Sequence, residues 1–325
     1  MYTITKYSLE FKDSWDKFVA ESNNGTMFHT LDFLDYHRNK FEANLNHLIW
    51  LKGEHIFAVM PFAVFEENGK RIGKSPFGAS FGGIVCKDKL SLSESVSLAQ
   101  TLVEYTANIG CDEVRITPTP WHYHTSANQY IDFALMKNGF QLTSRDVFNA
   151  IKLPSSYQYL WENNYVGRCR TTLRKRTEQF NIIQDAPIED FYPILLEDKA
   201  RHNNSQPTHS LRELQQLKDT FPDKVWADIA IGKSTNARAG ICYFQPSENC
   251  IMTFYMSQET SALKLDGKNV LVDNMLKRAI EKGISYFDFG GSTIGFEIEN
   301  IGVSKFKESF GAKGYFRDTL ILSHE

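Results

Sequence analysis

The chain carries two kinds of hydrophobic spacing. Apolar residues recurring every third or fourth position predict helices with one buried face. Alternating or continuous runs rich in β-branched and aromatic residues predict strands. The first kind predicts helices near Trp15–Ala20 and over Leu31–Asn39, Ser91–Asn108 and Asn128–Asn138. The second predicts strands over His47–Leu51, His55–Phe65, Ile72–Val85, Glu113–Ile116 and Val147–Leu153, the last closed by Pro154. The pattern then starts again. A short strand around Ile182 and Ile183 leads to helices over Ile188–His202 and Leu211–Thr220. Three strands follow at Val225–Ile231, Arg238–Phe244 and Cys250–Ser257. A helix over Val270–Glu281, a strand over Ile284–Phe289, a helix over Val303–Phe310 and a strand over Phe316–Leu322 complete the chain.

Each half therefore runs helices, a strand meander, helix, strand, helix, strand. Ser91 or Ser93 caps the long helix of the first half, and Gly110 ends it as Gly283 ends its counterpart. No residue-level repeat accompanies this order. The reading is an α/β (α+β) fold of two tandem domains, 1–154 and 155–325, each a mixed sheet flanked by helices. One large α/β domain is the alternative. The run Phe77–Gly83 is rich in glycine, but no strand-to-helix phosphate loop follows it; it reads as strand with close backbone approaches.

Composition narrows the class. With 325 residues, 42% hydrophobic and 13% aromatic, the chain can build two cores. A net charge of −3 gives no signal for DNA or an anionic membrane. No apolar run is long enough to span a bilayer, and nothing resembles a secretion signal. Cys86, Cys111, Cys169, Cys242 and Cys250 are widely spaced and form no C-x-x-C pair, so a reduced, cytoplasmic protein without structural zinc is expected. His122 and His124 lack a third ligand at useful spacing and read as surface histidines.

The last forty residues are the most specific. Phe287-Asp288-Phe289-Gly290-Gly291, followed by Gly302-Val303-Ser304-Lys305-Phe306-Lys307-Glu308-Ser309-Phe310-Gly311-Ala312, resembles the C-terminal signature of the FemAB-like branch of the GCN5-related N-acyltransferase (GNAT) superfamily. The resemblance extends, more weakly, over nearly the whole chain. It implies two tandem GNAT-like domains and direct acyl transfer to an amine. The donor would be acyl-CoA or aminoacyl-tRNA, and the acceptor a small molecule or a cell-envelope precursor in the interdomain cleft. Splayed central strands would offer backbone N–H groups to the donor carbonyl. No metal is implied.

Four sites follow from that resemblance. In Lys264-Leu265-Asp266-Gly267-Lys268-Asn269 the superfamily binds donor pyrophosphate, through exposed N–H groups at a helix start. Lys264 and Gly267 fit the pattern; Asn269 stands where a small residue is usual, and an ordinary polar turn is the other reading. Arg170 and Arg174 share a helix face, and with Lys175 they suit a phosphorylated acceptor or the end of a tRNA, or else a solvated surface. Phe306 and Lys307 match a Phe-Lys pair that lines the donor site in bridge-forming relatives, with Lys307 placed to stabilise an oxyanion and Lys305 beside it on the same helix. A lysine on an ordinary amphipathic helix is the alternative. Finally, Thr117-Pro118 stands where those relatives have Asp-Pro, and threonine is no base near neutral pH. That substitution and the altered loop keep a second class in view: a degenerate module that binds a sugar or peptide.

Overall fold

The computed structural model describes residues 2–201, 205–297 and 301–324. The elements of the first half are β1 (Thr3–Lys6), α1 (Lys12–Ala20), α2 (Leu31–Asp35), α3 (Arg38–Phe41), β2 (Leu48–Lys52), β3 (His55–Met60), β4 (Ala63–Glu67), β5 (Lys70–Ser75), β6 (Val85–Cys86), α4 (Leu92–Asn108), β7 (Glu113–Ile116), α5 (Tyr130–Lys137) and β8 (Gln141–Lys152). Those of the second are α6 (Tyr157–Tyr159), α7 (Gly167–Arg176), β9 (Phe180–Ala186), α8 (Ile188–Arg201), α9 (Leu211–Thr220), β10 (Val225–Gly232), β11 (Arg238–Ser247), β12 (Cys250–Gln258), α10 (Gly267–Glu281), β13 (Tyr286–Gly291), α11 (Ile301–Glu308) and β14 (Lys313–Ser323).

The α/β expectation holds: mixed sheets carry helices on their faces. Local signals placed their ends well. Ser91 caps α4 reciprocally with Glu94, and Gly110 and Gly283, both at positive φ, follow the ends of α4 and α10. Three segments differ from the sequence reading. The helix expected over 31–39 breaks into α2 and α3 around Tyr36 and His37. The strand expected over 72–85 stops at Ser75, because Pro76 has no N–H to continue a ladder; the chain then loops before β6. The helix expected over 188–202 is seen to Arg201, with His202 outside the described residues.

Two compact units emerge, and they interleave along the chain where the sequence pattern suggested a boundary at 154/155. Unit 1 comprises Met1–Val147, Ile294–Glu297 and Phe316–Glu325; unit 2 comprises Phe148–Thr293 and Ile298–Tyr315. In unit 1, one sheet runs β1-β2-β3-β6, and a second ladder runs β4-β5-β7-β14. Trp15, Phe18 and Val19 of α1 cover Ile49, Val59 and Val85. Leu98, Ala99 and Leu102 of α4 join Trp50, Met60, Val114 and Ile116 in a larger core. The closing strand β14 pairs antiparallel with β7, Leu320 opposite Ile116. Burying Leu320 and Leu322 contributes about 1.5–3 kcal/mol for each side chain.

In unit 2 the order is β8-β13-β12-β11-β10-β9, with only the last residues of β8 belonging to the unit. Here β8 pairs antiparallel with β13 through Ile151–Phe287 and Ala150–Asp288. Leu173 of α7 and Val270, Leu271, Met275 and Leu276 of α10 pack with Ile241, Tyr243, Ile251 and Phe287.

Candidate functional site

The central feature of unit 2 is a pair of parallel strands that separate. β12 and β13 pair only at Cys250–Tyr286, Ile251–Phe287 and Met252–Asp288. β12 then runs on to Gln258, held on its other edge by β11 through Tyr243–Thr253, Cys242–Tyr255, Ile241–Met256 and Gly240–Ser257. A bulge between Cys242 and Tyr243 turns β12 as it leaves its parallel neighbour. Between the diverging strands lies a groove of about 630 Å³. Thr253–Ser257 form one wall, and Phe289, Gly291 and the helix α11 form the other.

Lys307 stands at the end of that opening. It is 5% exposed. Its Nζ donates to Gly290 O at 2.8 Å, to Gly291 O at 2.5 Å and to Ser292 Oγ at 3.0 Å. These contacts engage all three ammonium protons and fix the end of β13. Burial pushes the ammonium down to about 8, while the Asp288 carboxylate pulls the other way. Asp288 is itself buried and accepts from Gly290 N at 2.6 Å. Phe306 precedes Lys307 and lines the groove with Val303.

The opposite wall holds residues that sequence spacing could not bring together. Lys199 of α8, Tyr255 of β12 and Lys268 of α10 all line the groove. The Tyr255 hydroxyl lies 2.9 Å from His209 Nδ1, and Lys199 Nζ lies 6.0 Å from the centre of the Tyr255 ring. Burial raises the Tyr255 hydroxyl, against the bonds it receives from His209 and Thr208. Burial lowers Lys268; the Asp198 carboxylate opposes that shift and Arg201 adds to it. Two lysines on one wall suit a phosphate-bearing ligand.

The expected donor loop is largely engaged with its own chain. Lys264 is exposed, and its carbonyl accepts from Arg176. Asp266 adopts a left-handed conformation and pairs with Arg176 at 3.2 Å. Gly267 opens α10 and is buried; a Cβ there would lie 2.9 Å from Ala239 and 3.1 Å from Phe180. Asn269 N bonds to Asp266 O. Of this loop, Lys268 is the residue that reaches the groove. On α11, Lys305 is exposed and does not line it.

On α7, the residues expected to meet an acceptor part company. Arg170 turns back to donate to the carbonyls of Trp161, Glu162 and Tyr165, capping the irregular turn before its own helix. Arg174 is exposed and lies over the Trp161 ring at 5.6 Å. Lys175 lines a separate shallow groove with Arg168, Thr171, Thr172, Arg176 and Gln179. Its basic character comes from Arg168, Lys175 and Arg176, the latter two seven and eight positions after the first on one helix, which was legible in sequence.

Unit 1 has its own parallel pair, β5 and β7, joined from Ile72–Glu113 to Ser75–Ile116. Its far end is filled by the chain itself. The loop after Pro76 returns so that Gly82 N donates to Thr117 O at 2.8 Å, and Gly82 bridges Pro118. Gly83 N donates to the buried Ser75 Oγ at 2.9 Å. A Cβ at Gly82 would lie 2.7 Å from that Oγ and 3.1 Å from Pro76 N. Phe81, fully buried, plugs the space against Phe28 and Tyr123. Thr117 Oγ1 is spent on Thr319 Oγ1 at 2.9 Å. His122 and His124 correct the sequence reading: both are buried, and His124 Nε2 lies 3.0 Å from Thr119 O. The described residues hold no cluster of three metal-binding side chains.

The fold is shared with solved structures. FemX superposes with a TM-score of 0.71 at 10% identity, over 99% of this chain and 97% of that one. Its fold is that of FemX. L-PGS from Bacillus licheniformis superposes with a TM-score of 0.59 at 12% identity, covering 98% of this chain and 93% of that one. A tandem GNAT protein from the clavulanic acid biosynthesis pathway reaches 0.53 at 7% identity, covering 99% and 98%. Neither a protein-family model nor a curated protein matches the sequence. In this fold the C-terminal signature forms the open end of β13 and the helix α11 beside it.

Proposed function

We propose that unit 2 is an N-acyltransferase that moves an acyl or aminoacyl group from acyl-CoA or aminoacyl-tRNA to an amine. The observation that carries this reading is the open end of the β12–β13 pair, with Lys307 at its mouth. The acceptor nitrogen attacks the donor carbonyl, the new C–N bond forms, and the bond to the carrier sulfur or oxygen breaks. The carrier leaves as thiol or hydroxyl, and the amine proton passes to water. No covalent enzyme intermediate is needed.

Backbone N–H groups along Thr253–Ser257 are the donors we assign to the carbonyl oxygen as it gains charge. Lys307 is a positioning residue whose three bonds hold Gly290, Gly291 and Ser292 in place. Its buried charge favours the same oxyanion. Lys199 and Lys268 take a donor phosphate, a feature common to both donor types. For the acceptor, the proposal narrows to Lys175, with Arg168 beside it, because Arg170 is committed to carbonyls, Arg174 to Trp161 and Arg176 to Asp266. A cell-envelope precursor as acceptor rests on the resemblance to the FemAB-like branch, and the similarity to FemX and L-PGS supports it. The degenerate-module reading fits unit 1, where Phe81 and Gly82 occupy the equivalent opening.

The test is amide exchange with acetyl-CoA, longer acyl-CoAs and charged tRNA in turn, followed by mass analysis of an amine acceptor. The right donor slows exchange at 253–257 and 301–307, and the acceptor gains the mass of the acyl group. If no donor slows either segment, the transferase reading is lost and a binding module takes its place.

A further inference from the structure

We infer that unit 1 carries a binding site for a small amphipathic monocarboxylate, independent of the transferase reading. The site is a cavity of about 220 Å³ where the end of β1, the start of α1 and the outer face of α2 meet. Its polar lining is Lys6, Tyr7, Lys12, Asp32, Arg38 and His47, with Asp35 paired to Arg38. Leu9, Leu31, Leu34 and Leu45 supply its apolar wall.

His47 is the observation that points to a ligand. It is 6% exposed, yet it lines the cavity. Its Nδ1 accepts from Phe62 N at 3.2 Å, which leaves the ring proton on Nε2. Stacking on Phe77, with ring centres 5.7 Å apart, and edge contact with Tyr7 hold the ring in that orientation. A fixed, buried N–H on a cavity wall is a preformed donor for an anion. Burial keeps the ring neutral, helped by the positive charges of Arg38 and Lys6 and by nearby His37.

Charge and size select the class. The lining carries Lys6, Lys12 and Arg38 against Asp32 and Asp35, one positive charge in excess, with Asp35 paired to Arg38. One net charge suits a carboxylate better than a phosphate dianion. A space of about 220 Å³ favours a small apolar body over a long chain. The leucines give that body its contact.

Isothermal titration calorimetry of the whole protein at pH 7 and low salt, with 3-methylbutanoate as probe, tests this. One molecule should bind per chain, and Lys6→Ala/Lys12→Ala should weaken it at least tenfold. The neutral isostere 3-methylbutanamide and inorganic phosphate should each bind at least tenfold more weakly. Equal affinity for the amide removes the charge argument, and equal affinity for phosphate removes the apolar one. Absence of any 3-methylbutanoate binding, or unchanged binding by the double variant, overturns the site. Both lysines are exposed, so the variant should fold; an unchanged melting temperature confirms that the affinity is read on intact protein.

Discussion

The two units solve one geometric problem in opposite ways. Each has a parallel pair of strands whose pairing stops short, leaving an opening beyond the last paired residues. In unit 1 the opening is refilled by a loop that brings Phe81 and Gly82 back between β5 and β7. In unit 2 the space between β12 and β13 stays open as a groove with lysines on both walls. A closed wedge is structural support and an open one is a place for a ligand, so chemistry is expected in unit 2 alone. Among the buried ionisable groups, unit 1 hides His29, His47 and His124, kept neutral by burial, and unit 2 hides Lys307 at its opening.

That division sets the largest expected effect. Burial depresses His29, His47 and His124 to about 4. Above the ordinary histidine value of 6.5 they are neutral folded or unfolded and cost nothing. As pH falls from 6.5 towards 4 the unfolded chain takes up protons that the folded one refuses, so stability is lost, by about 3 kcal/mol for each histidine. Lys307 works at the other end: its burial costs most below about 8 and is relieved as pH rises towards 10.5. Amide exchange between pH 6.5 and 4 should therefore lose protection in unit 1 first. Simultaneous loss in both units would break the contrast.

Next comes Lys307→Met. Removing a buried charge beside developing negative charge should lower kcat/KM about a hundredfold. Because three acceptors lose their donor, unit 2 should also become less stable by about 2 kcal/mol. Activity loss with unchanged melting would show that the bonds to Gly290, Gly291 and Ser292 carry little weight. Gly82→Val probes the filled wedge instead. The added carbons meet Ser75 Oγ and the Pro76 backbone, and overpacking should cost about 2 kcal/mol in urea unfolding, while kcat per folded molecule stays the same. A fall in kcat would bring unit 1 into the chemistry. The smallest effect is expected from Lys268→Ala: donor KM rises about fivefold with kcat nearly constant, as for a phosphate contact made equally in ground and transition states.

What the chain disclosed before folding was local. The Ser91–Glu94 cap, the glycines after α4 and α10, and the Phe306–Lys307 pair are each set by residues within a turn or two. The groove was only half legible, because Lys199, Tyr255 and Lys268 belong to three elements whose meeting depends on strand pairing. The burial of Lys307 could not be seen at all: on an amphipathic helix a lysine reads as exposed, and only the carbonyls of Gly290 and Gly291 explain why it is not. The loop after Pro76 misled in the opposite sense. Its aromatic and small residues suit a strand, and its true role depends on Thr117 and Pro118, some forty positions away in sequence. The same limit hid the pairing of β14 with β7.

That last pairing bears on how the protein is made. Domains usually fold in the order of their synthesis, the first finishing before the second emerges. Here the edge of the first-made unit is completed by Phe316–Glu325, which leave the ribosome after nearly all of the second. Until then β7 has an unpaired edge, and the core around Val114 and Ile116 lacks Leu320 and Leu322. The nascent chain thus carries an exposed strand edge from the synthesis of β7 until that of β14, through all of the second unit.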